Sequence, residues 1–238
     1  MLSPKTARIL HRRLGLLFSL FVFLAAGSGV LHTIMSMTQS APPPPPSNRL
    51  GEVAPSVKLR PDQAAGKISP DAVAKIRALS LVELDNRPLY RLSLDGDKTP
   101  RYVFADTGEL AADADERLAA RLASAQINGK PVRKTAYLTQ YDGEYIAIFR
   151  ILPVYRFDAD DAAHTRLYVS TATGSVTRAT DDGKQFEANT FGLLHKYMFI
   201  HDKGWRDAAM IAVMSGITLA GLSGLVLFGL TRPKRKTA

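Results

Sequence analysis

The stretch Leu193-Leu194-His195-Lys196-Tyr197-Met198-Phe199-Ile200-His201, with Asp202, Lys203, Trp205, Arg206 and Asp207 behind it, leads into residues 208–230, which carry no charge. A helix needs about 20 apolar residues to cross a hydrocarbon core of ~30 Å. The uncharged run is long enough, and the polar and aromatic residues at its start suit a membrane surface. Arg232, Lys234, Arg235 and Lys236 close it. Residues 190–206 therefore read as an interfacial lead-in, 207–231 as a membrane helix and 232–238 as a cytoplasmic tail. Gly216, Ala220 and Gly224 recur every four residues and so stack on one helical face. Such a face lets another helix approach closely, from a second copy in a homodimer or from a membrane partner.

At the other end, residues 1–13 carry Lys5, Arg8, Arg12 and Arg13 ahead of an uncharged run over residues 14–37. A cleaved signal peptide has the same order, and Ala25-Ala26-Gly27 offers small residues for cleavage. The apolar run continues through Val30 and Leu31, however, beyond the roughly 7 to 15 residues of a signal core. It reads as a second membrane helix. The formal charge of +9 is not spread evenly: eight of the 31 Lys and Arg residues lie before Leu14 or after Thr231, where no acid occurs, and all 22 acids lie between. That segregation is a positive-inside signature. It predicts a bacterial inner-membrane protein in a lipid bilayer, both termini cytoplasmic and the central domain periplasmic. No basic stripe interleaved with aromatics points to nucleic acid. Cysteine is absent, which removes disulfides and thiol chemistry.

Residues 38–67 form a linker whose five consecutive prolines, Pro42 to Pro46, favour a stiff polyproline spacer. Ser69-Pro70-Asp71 is a helix-start signature, with Val73, Ile76 and Leu79 at helical spacing behind it. Strand-like runs follow over 81–84, 89–94 and 101–105, then a helix over 113–127 bearing Leu118, Leu122 and Ala125 on one face. Further strands are expected over 132–140, 145–151, 154–157, 167–170 and 175–178, with Asp142-Gly143 turning the first two into a hairpin. Arg87-Pro88-Leu89-Tyr90-Arg91-Leu92 matches Leu152-Pro153-Val154-Tyr155-Arg156-Phe157, and Tyr102-Val103 with Thr107-Gly108 matches Tyr168-Val169 with Thr173-Gly174. The fold class is therefore an α+β domain of two helix-plus-antiparallel-sheet repeats, residues 68–112 and 113–182, carried on two transmembrane helices.

The Pro-x-Tyr hairpin followed by Tyr-Val and Thr-Gly resembles the PepSY domain. His11-Arg12-Arg13-Leu14-Gly15-Leu16, Leu194-His195-Lys196, Trp205-Arg206-Asp207 and Leu222-Ser223-Gly224-Leu225 are similar to motifs of PepSY-associated transmembrane proteins. The resemblance implies four-span inner-membrane proteins that reduce ferric siderophores with haem held between helices. This chain offers two spans, so half of the expected helical scaffold is missing or comes from another subunit.

A haem b needs two imidazoles at similar depth on facing helices. His32 lies near the outer end of the first span and His195 and His201 at the outer end of the second, which makes these three the candidate cofactor ligands, His195 ahead of His201. The alternative is that all three are interfacial histidines bonded to backbone or lipid. His11 lies 21 residues before His32 on nearly the same face, but the inner end of the second span has no histidine to match it. In the central domain His164 is the sole histidine, too little for a nucleophilic triad, and no catalytic residue is expected. Asp158, Asp160, Asp161 and His164 read as a solvated turn rather than a metal site. Two functions remain: a haem-containing electron-transfer component for ferric-chelate reduction and iron uptake, or a non-catalytic, membrane-anchored module that binds a periplasmic protein or peptide. No nucleotide-binding fingerprint occurs, so in the first case a quinone or a partner supplies electrons. Reporters active only in the periplasm should score positive when fused after Ala188 and negative after Ala238; a positive signal at Ala238 overturns the two-span topology.

Overall fold

The computed structural model describes residues 3–39 and 50–232; the five linker prolines and the tail bases Lys234, Arg235 and Lys236 lie outside them. In chain order the elements are α1 (Pro4–Thr38), the single turn α2 (Leu50–Val53), α3 (Pro61–Ile68), β1 (Ile76–Leu84), β2 (Arg87–Leu94), β3 (Arg101–Phe104), α4 (Ala114–Gln126), β4 (Val132–Leu138), β5 (Val154–Ala159), β6 (Arg166–Ser170), β7 (Ser175–Thr180), α5 (Asp182–Lys196) and α6 (Lys203–Thr231). They fall into two units, residues 41–182 and residues 1–40 with 183–238. The protein is thus α+β, with two antiparallel sheets and two helices long and apolar enough to span a membrane.

In the α+β unit, β1-β2-β3 and β4-β5-β6-β7 form separate sheets. Tyr90 pairs with Val103 and Arg91 with Tyr102; in the second sheet Tyr155 pairs with Val169 and Arg156 with Tyr168. Gly108 and Gly174 both take positive φ, and each amide donates to the carbonyl four residues back, on Phe104 and Ser170, at 2.8 Å. Val176 pairs with Val169 inside β7, and at the corresponding place in the first sheet Leu110 makes a lone bridge to Val103. The two hairpins thus share one register, and Leu110 adds a single bridge beside the three-stranded first sheet.

Strand alternation sends Tyr90, Leu92 and Val103 toward Ala64 and Ala65 of α3, and Leu89, Tyr102 and Phe104 toward Ala114 and Leu118 of α4. The opposite flank of α4, through Ala119 and Ala123, packs on Phe157, Leu167 and Val169 of the second sheet. The far face of that sheet, Val154 and Tyr168, is covered by Tyr145 from the β4–β5 connection. The layers therefore run α3, first sheet, α4, second sheet, connection.

Three sequence expectations are corrected. The helix expected from Ser69 is not formed: Ser69 caps the C-terminus of α3, residues 72–75 make one 3₁₀ turn, and Ile76 already belongs to β1. The Pro-at-first-position signature occurs twice, and Pro61 is the one that starts the helix. Pairing of β1 with β2 from Ile76 to Leu84 outweighs the local helical pattern of Val73, Ile76 and Leu79. The strand expected over 145–151 is also absent. Asp142 accepts from the amides of Glu144 at 2.8 Å and Tyr145 at 2.5 Å, an Asx turn rather than a hairpin, and β4 pairs with β5 instead. Finally, the lead-in is not one segment. Helix α5 starts at Asp182 and ends where Tyr197 takes φ 50, and Asp202 then caps α6 by accepting from the Trp205 amide at 2.8 Å.

In the other unit α1 and α6 pair directly. Gly216 is buried against the Phe18 ring, and a Cβ on Gly224 would lie 3.0 Å from the His11 ring. The small-residue face offered to a second copy or a membrane partner is therefore filled by α1 of the same chain. Away from this seam the helices expose apolar side chains such as Leu16, Phe23, Ile211 and Leu225, as a bilayer helix does. A leucine at Gly216 has no room beside Phe18, so Gly216→Leu should destabilise the pair by about 1–3 kcal/mol. Adding Phe18→Ala should recover most of the loss, measured by denaturant titration in detergent micelles. Equal stability of Gly216→Leu and wild type would refute this packing.

Candidate functional site

Helix α5 places Glu187, Phe191 and His195 four residues apart, on one face; α1 does the same with Ser28 and His32. The two faces meet running in opposite directions. His32 Nδ1 lies 2.5 Å from Glu187 Oε1, and His195 Nδ1 lies 3.3 Å from Ser28 Oγ. Gln39 donates its side-chain amide to the second oxygen of Glu187. This carboxylate is buried, so both oxygens need such donors. Between the polar pairs sits Phe191, its ring 4.5 Å from the His195 ring and nearly parallel to it, and 5.1 Å from the His32 ring.

The hydrogen bonds assign the tautomers. The Ser28 hydroxyl donates its one proton to the Ala25 carbonyl at 3.0 Å, so it accepts from His195, whose Nδ1 carries the proton. His32 likewise donates from Nδ1 to Glu187. Both Nε2 atoms remain outside these bonds, the arrangement in which an imidazole serves a metal while a carboxylate or hydroxyl orients it.

The second requirement for haem is not met. Two imidazoles on one iron need both Nε2 atoms about 2 Å from the metal, with the macrocycle passing between the rings. His32 meets α5 at Glu187 while His195 meets α1 at Ser28, so the two imidazoles stand at different levels, with Phe191 beside both. In this arrangement His32 and His195 do not fit a shared haem. His201, the reserve ligand, is exposed in the segment between α5 and α6 and is not brought to His32. His11 is spent on the α1–α6 seam, its Nδ1 3.1 Å from both Ser223 Oγ and the Ala220 carbonyl.

Of the partners of these histidines, Glu187 lies ahead of the 190–206 lead-in expected from sequence, and the start of α5 at Asp182 is what aligns it with Phe191 and His195; Ser28 and Phe191 carry no ligand chemistry that marks them in sequence. In the α+β unit the ionisable groups serve packing. Tyr102, raised by burial and then by the charge of Asp115, donates to Asp115 at 2.7 Å; Tyr168, raised by burial and then by its hydrogen bond to Glu144, donates to that carboxylate at 2.6 Å. Asp158 pairs with Arg156, and Asp161 accepts from both the amide and the hydroxyl of Thr165. No trio of His, Asp and Glu able to hold a metal ion occurs among the described residues.

Comparison with protein-family models, with curated proteins and with solved structures finds no match to this chain.

His164 supplies a pH-dependent contact. Its Nδ1 is 2.6 Å from Asp182, whose hydrogen bond and then charge raise the imidazole above its ordinary 6.5. Asp182 is lowered in return, by His164 first and then Arg166. A raised folded value means that the contact contributes fully below the unfolded histidine pKa and fades as pH rises through the folded one. The Asp182 contribution is lost only in acid, as pH falls through its lowered value. A proton NMR titration should place the His164 midpoint above that of a free imidazole, and Asp182→Asn should bring it down; an unchanged midpoint would sink the assignment.

Proposed function

We propose that the chain is a two-pass protein of the bacterial inner membrane, with cytoplasmic termini, that holds a PepSY-like α+β unit in the periplasm as a non-catalytic binding module. The observation that carries this reading is the edge of the second sheet. Among the described residues, strand β4 pairs on one side only, with β5, and residues 133, 134, 135 and 137 along it are exposed. An open edge can accept an extended peptide as a further strand, with side chains selecting the sequence. Arg133 favours an acidic segment, Lys134 being paired with Glu116, and the basic edge also discourages two copies from pairing edge to edge. Exposed Tyr137, its ring 4.6 Å from that of Tyr155 and tilted against it, offers that segment an aromatic contact.

A second reading, the haem b electron-transfer component for ferric-chelate reduction, is favoured by one observation: His32 and His195 both lie at the α1–α5 contact with their Nε2 atoms outside the hydrogen bonds that hold them. It requires the two imidazoles to come to one level. The two readings separate on the purified full-length chain produced with ample haem. The binding-module reading expects no Soret band before or after dithionite. It also expects that extended acidic peptides selected from a display library lose about tenfold in affinity, ~1.4 kcal/mol, on Arg133→Glu or Tyr137→Ala. A Soret band that disappears in His32→Ala moves the function to electron transfer. Selected peptides that bind both variants as well as wild type overturn the edge as the binding surface.

A further inference from the structure

We infer that the groove between the first and last helices, near the start of α1, holds an acyl chain of an anionic phospholipid whose headgroup sits among the bases of α1. The inference rests on the membrane-spanning reading of α1 and α6. Leu10 and Leu14 form one wall, Leu219, Leu222 and Val226 the other, and the buried Ala7 the floor, around a space of about 430 Å³. The groove follows from how the helices pair: His11 and Phe18 seat against Gly224 and Gly216, large on small, and the leucines on one flank are left apart. Leu10, Leu219, Leu222 and Val226 stay roughly half exposed, so the space opens to the medium around the helices. An apolar slot open to a bilayer is filled by hydrocarbon.

Charge selects which lipid. Lys5, Arg8, Arg12 and Arg13 lie at this end of α1, and no acid precedes residue 52. Side chains on a helix lean toward its N-terminus. Arg13, three residues after Leu10 and on the same flank, therefore leans back along the groove toward the bases at the start of α1, its stem lying over apolar surface. A phosphodiester without a compensating ammonium suits this cluster better than a zwitterion does.

The test uses the full-length chain in nanodiscs of equal parts phosphatidylglycerol and phosphatidylethanolamine, with native mass spectrometry counting lipids retained after gentle activation. Wild type should retain phosphatidylglycerol preferentially. Leu222→Trp, which fills the groove, should cut retention about fivefold, and Arg13→Gln should keep lipid but lose the preference. Leu16→Trp, half a turn around α1 from the groove, should behave as wild type. Val226→Phe, a smaller filling, repeats the groove arm if Leu222→Trp unfolds, with thermal melting as the check on folding. Equal retention of the two lipids by wild type, or undiminished retention by a folded groove-filled variant, overturns the inference. Recovery of the wild-type chain in the soluble fraction, without detergent, overturns the membrane reading instead.

Discussion

The α+β unit depends on helix α4 being buried on two flanks at once. Ala114 and Leu118 meet Leu89, Tyr102 and Phe104 of the first sheet, while Ala119 and Ala123 meet Phe157, Leu167 and Val169 of the second. Fully buried leucine or phenylalanine side chains stabilise by roughly 1.5–3 kcal/mol each. A helix that serves two such faces couples the sheets into one core, and neither sheet keeps its apolar face covered without it. The alanines matter because only a small residue lets the sheet come near the helix backbone. Asp115, in the first turn, adds a polar tie by accepting from Tyr102 of the first sheet.

The same arrangement accounts for the odd features of the β4–β5 connection. In the first sheet the face bearing Leu89 and Tyr102 is covered by α4; the corresponding face of the second sheet, bearing Val154 and Tyr168, has no helix after it and would lie open to water. The connection supplies a cover of its own. Tyr145 is fully buried there, stacked 4.7 Å from Tyr168, with its hydroxyl held by Thr177 at 2.8 Å and the Ile151 carbonyl at 3.0 Å. An end sheet with no further layer beyond it needs such a cover, because its outer apolar side chains would otherwise stay in water.

What was legible in the sequence follows from which forces are local. The apolar lengths of α1 and α6, the helix over 114–126 and the Pro-x-Tyr hairpins rest on periodicity and turn chemistry, and they stand where expected. Residues 76–79 and 145–151 went astray because long-range contacts decide them: strand pairing for Ile76 and burial of a single tyrosine for Tyr145. The second flank of α4 was missed for a related reason. Ala119 and Ala123 carry little hydrophobic signal, although their burial is complete. At the candidate site the two histidines are legible as a pair, but Glu187 is not, since it lies ahead of the 190–206 lead-in and only the start of α5 at Asp182 brings it onto their face.

That last omission changes the chemistry of the histidines. An imidazole reserved for iron is oriented from one nitrogen and left open on the other, and His32 and His195 satisfy this condition as far as hydrogen bonding goes. Phe191 packs beside both: its ring stacks on His195 and lies 5.1 Å from His32, and the buried Glu187 is held by its two donors, His32 and Gln39. A buried carboxylate stripped of either donor is costly. The cluster therefore ties α1 to α5 through Glu187, because losing either contact would leave a buried carboxylate short of a donor.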